Sequence, residues 1–257
     1  MAVQTALPLA GLEGYRSKSR RAGVASEAWG LTNLYCPNCH SDSLTPSATN
    51  TQAIDYTCPR CRAPFQLKAQ SRVLAGRIVD AAYSAMVRAI QEDRTPNLFA
   101  LHYEPVGWKV ANLILIPHFA FPLSAIEKRK PLSATARRAG WVGCNILLGA
   151  IPLDARIHIV SGGKPAAPAE VRAQYARIRP LEKIKAEQRG WTLDVLNVVR
   201  SLGRAEFSLS DVYASENQLA RLHPDNRHVR DKIRQQLQVL RDLGLLQFLG
   251  GGEYRLR

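Results

Sequence analysis

Asp55-Tyr-Thr-Cys58-Pro-Arg-Cys61-Arg-Ala-Pro-Phe-Gln66-Leu-Lys68 is the stretch on which the fold turns, because two alternating segments flank a Cys-x-x-Cys pair within it. An antiparallel hairpin whose tip is centred between Arg60 and Cys61 sets Asp55 opposite Gln66, and opposed residues point to the same face. Lys68 joins that face by the two-residue period of a strand, while Ile54, Phe65 and Leu67 turn the other way, into a core. Cys58 and Cys61 have matching partners in Tyr35-Cys36-Pro-Asn-Cys39, and the eighteen residues between the pairs suit a four-cysteine tetrahedral zinc site. Four thiolates leave no open position for a substrate or a water, so a zinc held there is structural. The fifth cysteine, Cys144 in Trp141-Val-Gly-Cys144-Asn-Ile, stands alone and reads as a small buried hydrophobe.

Upstream of the cysteines, residues 5–30 carry Arg, Lys and small residues at helical spacing, which predicts one or two short helices in a basic arm. Downstream, Val73, Leu74, Ile78, Val79, Ala82, Met86, Val87 and Ile90 recur at three and four, predicting an amphipathic helix over 71–92. Residues 99–103, 108–116 and 156–160 read as strands, giving a mixed α/β unit to about residue 180. Between residues 164 and 188 the composition turns to Ala, Pro, Arg and Glu without a strong apolar stripe, as in a linker or surface helix. A boundary there divides the chain into residues 1–182 and 183–257. The second part is predicted as helix 192–202, strand 206–209, helix 210–222, helix 227–243 and strands 245–249 and 253–256 around Gly250-Gly-Gly252. That is the element order of a winged helix.

The chain carries 35 Lys and Arg against 21 Asp and Glu, a net charge of +14, and its pI is near 10.0. Such an excess, present in both halves, points to a polyanion partner: nucleic acid or an anionic surface. The most apolar window, residues 111–126, is interrupted by Pro117, His118 and Pro122 and falls short of the roughly 20 residues of a spanning helix. With no basic leader ahead of the first apolar patch, a reducing cytoplasm is the expected location.

A carboxylate on one strand and an acid-x-Lys on the next is the pattern of a PD-(D/E)XK nuclease core, in which a divalent cation held by oxygens activates water at a phosphodiester. Asp55, Gln66 and Lys68 supply the candidate set, with Asp55 and Gln66 as ligands for Mg²⁺; the bland alternative is a ribbon strand with a solvent-facing lysine. More specific stretches are Tyr35-Cys-Pro-Asn-Cys39, Arg129-Lys-Pro-Leu-Ser-Ala-Thr-Ala-Arg-Arg-Ala-Gly-Trp-Val-Gly-Cys-Asn-Ile146, Arg189-Gly-Trp-Thr192 and Lys232-Ile-Arg-Gln-Gln-Leu-Gln-Val-Leu-Arg-Asp242. Through these the chain resembles, over almost its whole length, the DpnI-like family of methyl-directed restriction endonucleases. The resemblance implies an α+β architecture, a PD-(D/E)XK nuclease domain with an embedded zinc ribbon followed by a winged helix. It also implies Mg²⁺-dependent hydrolysis of double-stranded DNA at G-A-T-C sites carrying N6-methyladenine, with Asp55 and Lys68 in catalytic positions. Where the family motif has Glu, this chain has Gln66, whose amide oxygen can coordinate a cation but brings no charge. Slower or more metal-demanding cutting is expected, and the alternative is a methyl-adenine reader that does not cut. Whether Glu27 adds a carboxylate near the cation is open at this point.

For DNA, the basic run Lys128, Arg129, Lys130, Arg137 and Arg138 suits phosphates, and Trp141 suits an apolar contact with the methyl group in the major groove. In the last helix Val229, Ile233, Leu237 and Leu240 form the buried stripe, which leaves Arg230, Arg234 and Gln235 as candidate base contacts on a recognition helix. The glycine-rich wing is expected to touch the backbone or a minor groove. A monomer is the expected state.

Overall fold

The computed structural model describes residues 3–48 and 53–257. Its first helix, Lys18–Asn33 (α1), is opened by the Ser17 hydroxyl, which accepts the Arg20 N–H, as an N-cap serine does. Thr45–Pro46 (β1), Tyr56–Thr57 (β2) and Pro64–Gln70 (β3) follow, then Arg77–Ala82 (β4), Tyr83–Gln91 (α2), Asn97–Glu104 (β5) and Lys109–Ile116 (β6). Ile126–Lys128 (β7) and Gly143–Leu147 (β8) pair as a hairpin with a long loop over residues 129–142. Ile157–Ser161 (β9), Lys164–Pro165 (β10) and Pro168–Ile178 (α3) complete the larger unit.

Seven strands form one sheet in the order β1-β2-β3-β5-β6-β9-β10, antiparallel except where β3 runs parallel to β5. β5 buries residues 97–102 in unbroken succession, the signature of a strand covered on both faces. The hairpin forms in the register that the spacing predicts: Tyr56 lies opposite Phe65 and Thr57 opposite Pro64, which continues to Asp55 opposite Gln66. Phe65 is fully buried and stacks on Phe99 at 5.3 Å between ring centroids, so the apolar side of the hairpin does face the core.

The helix expected over 71–92 does not form as one element. Residues 77–82 are strand β4, paired with β8 in a second sheet of order β4-β8-β7, and only Tyr83–Gln91 is helical. Burial in β4 alternates, with Ile78 and Asp80 inside and Val79 56% exposed. Val73, assigned to the apolar stripe, is 65% exposed. The helical periodicity was a coincidence of composition that long-range pairing with residues 143–147 overrides. The stretch from residue 164 is mostly ordered, because α3 buries Val171, Tyr175 and Ile178 at helical spacing against β9.

Beyond it come Ala186–Ser201 (α4), Glu206–Ser208 (β11), Leu209–Tyr213 (α5), Glu216–Leu222 (α6), Val229–Asp242 (α7), Leu246–Gly250 (β12) and Glu253–Leu256 (β13). The sheet order β11-β13-β12 packed with these helices is a winged helix. The single helix expected over 210–222 is two, parted at Ala214 and Ser215. Three successive glycines with positive φ, 98°, 58° and 86° at Gly250, Gly251 and Gly252, close the wing in a conformation other residues resist.

α4 is buried nearly all round because it belongs to both units at once. Thr192 bonds the buried Gln236 of α7 at 2.6 Å on one side. On the other, Arg189 grips Asp93 through two N–H groups, Asp194 accepts the Ser124 hydroxyl at 2.6 Å, Asn197 donates to the Gly149 carbonyl and Arg200 pairs with Asp154.

Candidate active site and DNA interface

The four cysteines fold as the spacing predicts. Their sulfur atoms lie within 4.8 Å of one another, and the Cys36–Cys61 and Cys39–Cys58 pairs are each 3.6 Å apart. A tetrahedron with zinc–sulfur bonds of about 2.3 Å has edges of about 3.8 Å, so the quartet fits zinc. Burial raises the Cys58 thiol, but the backbone N–H groups of Cys61 and Arg60 outweigh it and bring the group down to about 6, whereas burial pushes the Cys36 and Cys61 thiols up, so the case for the metal rests on the sulfur geometry. Arg172 of α3 braces the first knuckle by donating to the carbonyls of Cys36 and Ser41 and to the Asp42 carboxylate.

At the other end of β2 the chain meets the polar face. The Asp55 N–H donates to the Phe65 carbonyl at 2.8 Å, and its Oδ2 accepts the Leu67 N–H at 2.7 Å. The carboxylate is thereby fixed on β3 between Gln66 and Lys68. Gln66 is only 7% exposed, makes no side-chain hydrogen bond to any described residue, and lines a cavity of about 400 Å³ with Asp80, Met86, Leu98 and Phe121. Lys68 Nζ stands 2.8 Å from Asp80 Oδ1 on β4.

α1 closes the opposite side, since the Tyr56 hydroxyl donates to the Glu27 carbonyl at 2.9 Å. Glu27 keeps a solvent-facing side, yet partial desolvation and the Asp55 carboxylate both raise its pKa, the mark of two acids sharing one neighbourhood. The sequence left Glu27 open; the structure places it here. It gave no notice of Asp80, which lay hidden in the supposed helix, although a lone acid in the apolar run Ile78-Val79-Asp80-Ala81-Ala82 was a signal.

Next to this site rises the β7–β8 hairpin. Its ladder extends past the strands, with Arg129 N–H to the Gly143 carbonyl and Leu132 N–H to the Trp141 carbonyl. Lys130, Arg137 and Arg138 are exposed, Arg129 and Trp141 half-buried. No acid among the described residues pairs with any of these cations. The outer edge of the Trp141 ring rests on Gly143, where a Cβ would stand only 2.7 and 2.8 Å from its Cη2 and Cζ3, and the Arg138 guanidinium covers the ring at 4.7 Å. The indole is therefore packed against its own hairpin rather than free. Cys144 is buried, as expected, and burial followed by the Asp80 charge pushes its thiol up to about 11, with Lys68 and Arg129 opposing.

Residues 5–184 match the family model described as DpnI, Dam-replacing family, and residues 187–256 match that of the Dam-replacing HTH domain. The chain belongs to the DpnI Dam-replacing family. Its members are methylation-dependent restriction enzymes, so this is a family of nucleases with a C-terminal DNA-binding helix-turn-helix domain. In the Dam-replacing HTH domain, Arg230, Arg234 and Gln235 all lie on the exposed face of α7. Arg230 is already engaged, with Nε 2.7 Å from Glu216 Oε2 and its guanidinium over the Tyr213 ring, while Arg234 shares that ring at 5.8 Å. Gln235 accepts from Lys232 Nζ at 2.8 Å. No described helix is long and apolar enough to cross a membrane.

Proposed function

We propose that this protein is a Mg²⁺-dependent endonuclease with a PD-(D/E)XK active site that cuts double-stranded DNA at G-A-T-C sites carrying N6-methyladenine. The observation that carries the reading is the Asp55 carboxylate, held by the Leu67 N–H between Gln66 and Lys68 on the neighbouring strand. Asp55 and Gln66 are the groups to hold Mg²⁺; hard oxygen donors suit that cation, and the amide leaves the pair one charge short of two carboxylates. When bound, Mg²⁺ supplies Lewis-acid stabilisation of the phosphate charge and acidifies a water. Lys68 places an ammonium at the same face, where it screens the phosphate or orients the attacking water. Cys36, Cys39, Cys58 and Cys61 hold zinc and keep the hairpin in register, without entering the reaction.

Residues 1–182 form the nuclease domain and 183–257 the winged helix, acting as a monomer in the cytoplasm. Arg129, Lys130, Arg137 and Arg138 take backbone phosphates, Trp141 contacts the N6-methyl group, and Arg230, Arg234 and Gln235 read bases from α7. A single apolar pocket discriminates one methyl group by only about 1–3 kcal/mol, so reading in both domains compounds the preference.

Matched plasmids, methylated and unmethylated, incubated with the protein and Mg²⁺ test this. Cutting confined to the methylated plasmid is expected, with Asp55→Ala abolishing it while binding persists, and Gln66→Glu raising activity at limiting Mg²⁺. Retention of methylated DNA with no cutting would establish a reader, the reading that neutral Gln66 favours; equal treatment of both plasmids would overturn both.

A further inference from the structure

Asp80 has no place in the acid-x-Lys pattern, yet it is among the most buried acids in the described chain, its side chain 3% exposed. A carboxylate taken so far from water keeps its charge only beside a cation or hydrogen-bond donors. Its partner is Lys68, whose Nζ stands 2.8 Å from Oδ1 as an ion pair; the contact rests on charge and proximity, because Oδ1 has no hydrogen bond of good geometry among the described residues. The two-residue period of β4 turns Asp80 inward with Ile78, and the strand is irregular just beyond: Val79 pairs with Asn145 but Ala82 pairs with Gly143, so β4 carries one extra residue, a β-bulge at Asp80 and Ala81 opposite Cys144. The same bulge is tied to the basic hairpin, because the Cys144 thiol donates to the Ala81 carbonyl and the Tyr83 N–H donates to the Val142 carbonyl, one residue past Trp141.

Lysine ends a flexible four-carbon stem as a point charge, and its ammonium can take many positions unless something fixes it. Lys68 is 30% exposed, so packing alone does not hold it. We infer that Asp80 is a positioning residue that fixes the Lys68 ammonium at the cleavage face and links it, through the bulge in β4, to the hairpin that carries Trp141. This rests on the proposed nuclease reading for its catalytic consequence, but the geometric part does not. Asp80 acts through Lys68: its carboxylate faces the ammonium at ion-pair distance and is not assigned to the cation.

The test uses the full chain with Asp80→Asn, which keeps the shape and removes the charge, and Asp80→Glu, which keeps the charge. The first readout is independent of cutting: amine-selective labelling under limiting reagent, followed by peptide mass spectrometry of Lys68. Asp80→Asn should label Lys68 several-fold faster than the unaltered protein, with other lysines and the thermal midpoint nearly unchanged, and Asp80→Glu should restore part of the protection. The second readout is single-turnover cleavage of a methylated duplex alongside its binding in Ca²⁺. Asp80→Asn should lower the cleavage rate about 10- to 100-fold, the usual penalty for a misplaced catalytic group, while Ca²⁺ and DNA affinities stay within about two-fold. Unchanged Lys68 labelling, or cutting at the normal rate, would overturn the inference. A loss of Ca²⁺ affinity would overturn it by making Asp80 a cation ligand. If the unaltered protein does not cut, the nuclease reading fails and the labelling result still decides whether Asp80 holds Lys68.

Discussion

Gly30 sits in α1 directly above Tyr56, the residue that follows Asp55, and replacing it with alanine pits two effects of known sign against each other. Alanine inside a helix is worth about 1 kcal/mol over glycine. Against this, a Cβ at position 30 would overlap the Tyr56 hydroxyl, lie 2.9 Å from its Cζ and press Leu34 Cδ1 at 3.1 Å. Tyr56 is 2% exposed and its hydroxyl is bonded to the Glu27 carbonyl, so the ring has nowhere to go. Overpacking of this kind costs roughly 1–3 kcal/mol, and losing the buried hydrogen bond adds about 1 kcal/mol. The overlap wins by about 1–3 kcal/mol, and at about 2–4 °C per kcal/mol in a chain of this size the thermal midpoint falls by at least about 2 °C. Gly23→Ala in the same helix is the control: its Cβ would meet only Glu27 Oε1 at 4.0 Å, so propensity acts unopposed and the midpoint should rise. Calorimetry of the two variants decides. If Gly30→Ala melts at or above the unaltered protein, α1 does not rest on the hairpin as described, and the placement of Glu27 beside Asp55 goes with it.

Chelating zinc, or changing Cys58 to Ser, should release the register of β2 on β3 and abolish cutting; restoring Mg²⁺ alone to chelated protein should fail, and adding zinc as well should recover activity, as measured by plasmid cleavage. Gly143→Ala pushes the half-exposed Trp141 ring outward rather than into a core, so the melting temperature should hold while the preference for methylated over unmethylated duplex in a binding titration falls about ten-fold, the worth of one methyl contact. Asp93 is held below its ordinary value of 3.8 by its hydrogen bonds from Arg189. The stability it adds is therefore present above that value and is lost as pH falls through the lower native one. Asp93→Asn should accordingly melt below the unaltered protein at pH 7, by about 1 kcal/mol for this partly exposed pair, and the two should converge in acid; a gap that is the same at every pH would refute the linkage.

Much of the site is legible in residue spacing, because the relations that define it are local. The two Cys-x-x-Cys pairs, the centre of the hairpin turn and the two-residue period together set Asp55 opposite Gln66, and Tyr56 does face Phe65. The winged helix is legible for the same reason: the buried positions of α7 at Val229, Ile233, Leu237 and Leu240 repeat at helical spacing and are all in the core. Residues 71–92 show the limit. Apolar residues there satisfy a helical period, but β4 takes its conformation from β8, more than sixty residues away, and the exposed Val73 and Val79 have no place in a buried stripe.

Composition and local period by themselves settled a basic two-part chain, a thiolate quartet, a hairpin with one polar face and a winged helix at the end. Only the tertiary structure turned β4 into a strand, brought Asp80 to Lys68, folded Trp141 down on Gly143 and made α4 common to both units. The division is physical. Turn geometry and periodicity act between neighbours in the chain and leave their imprint in residue order, whereas an ion pair between β3 and β4, or a helix with partners on opposite sides, depends on which distant segments the core brings together.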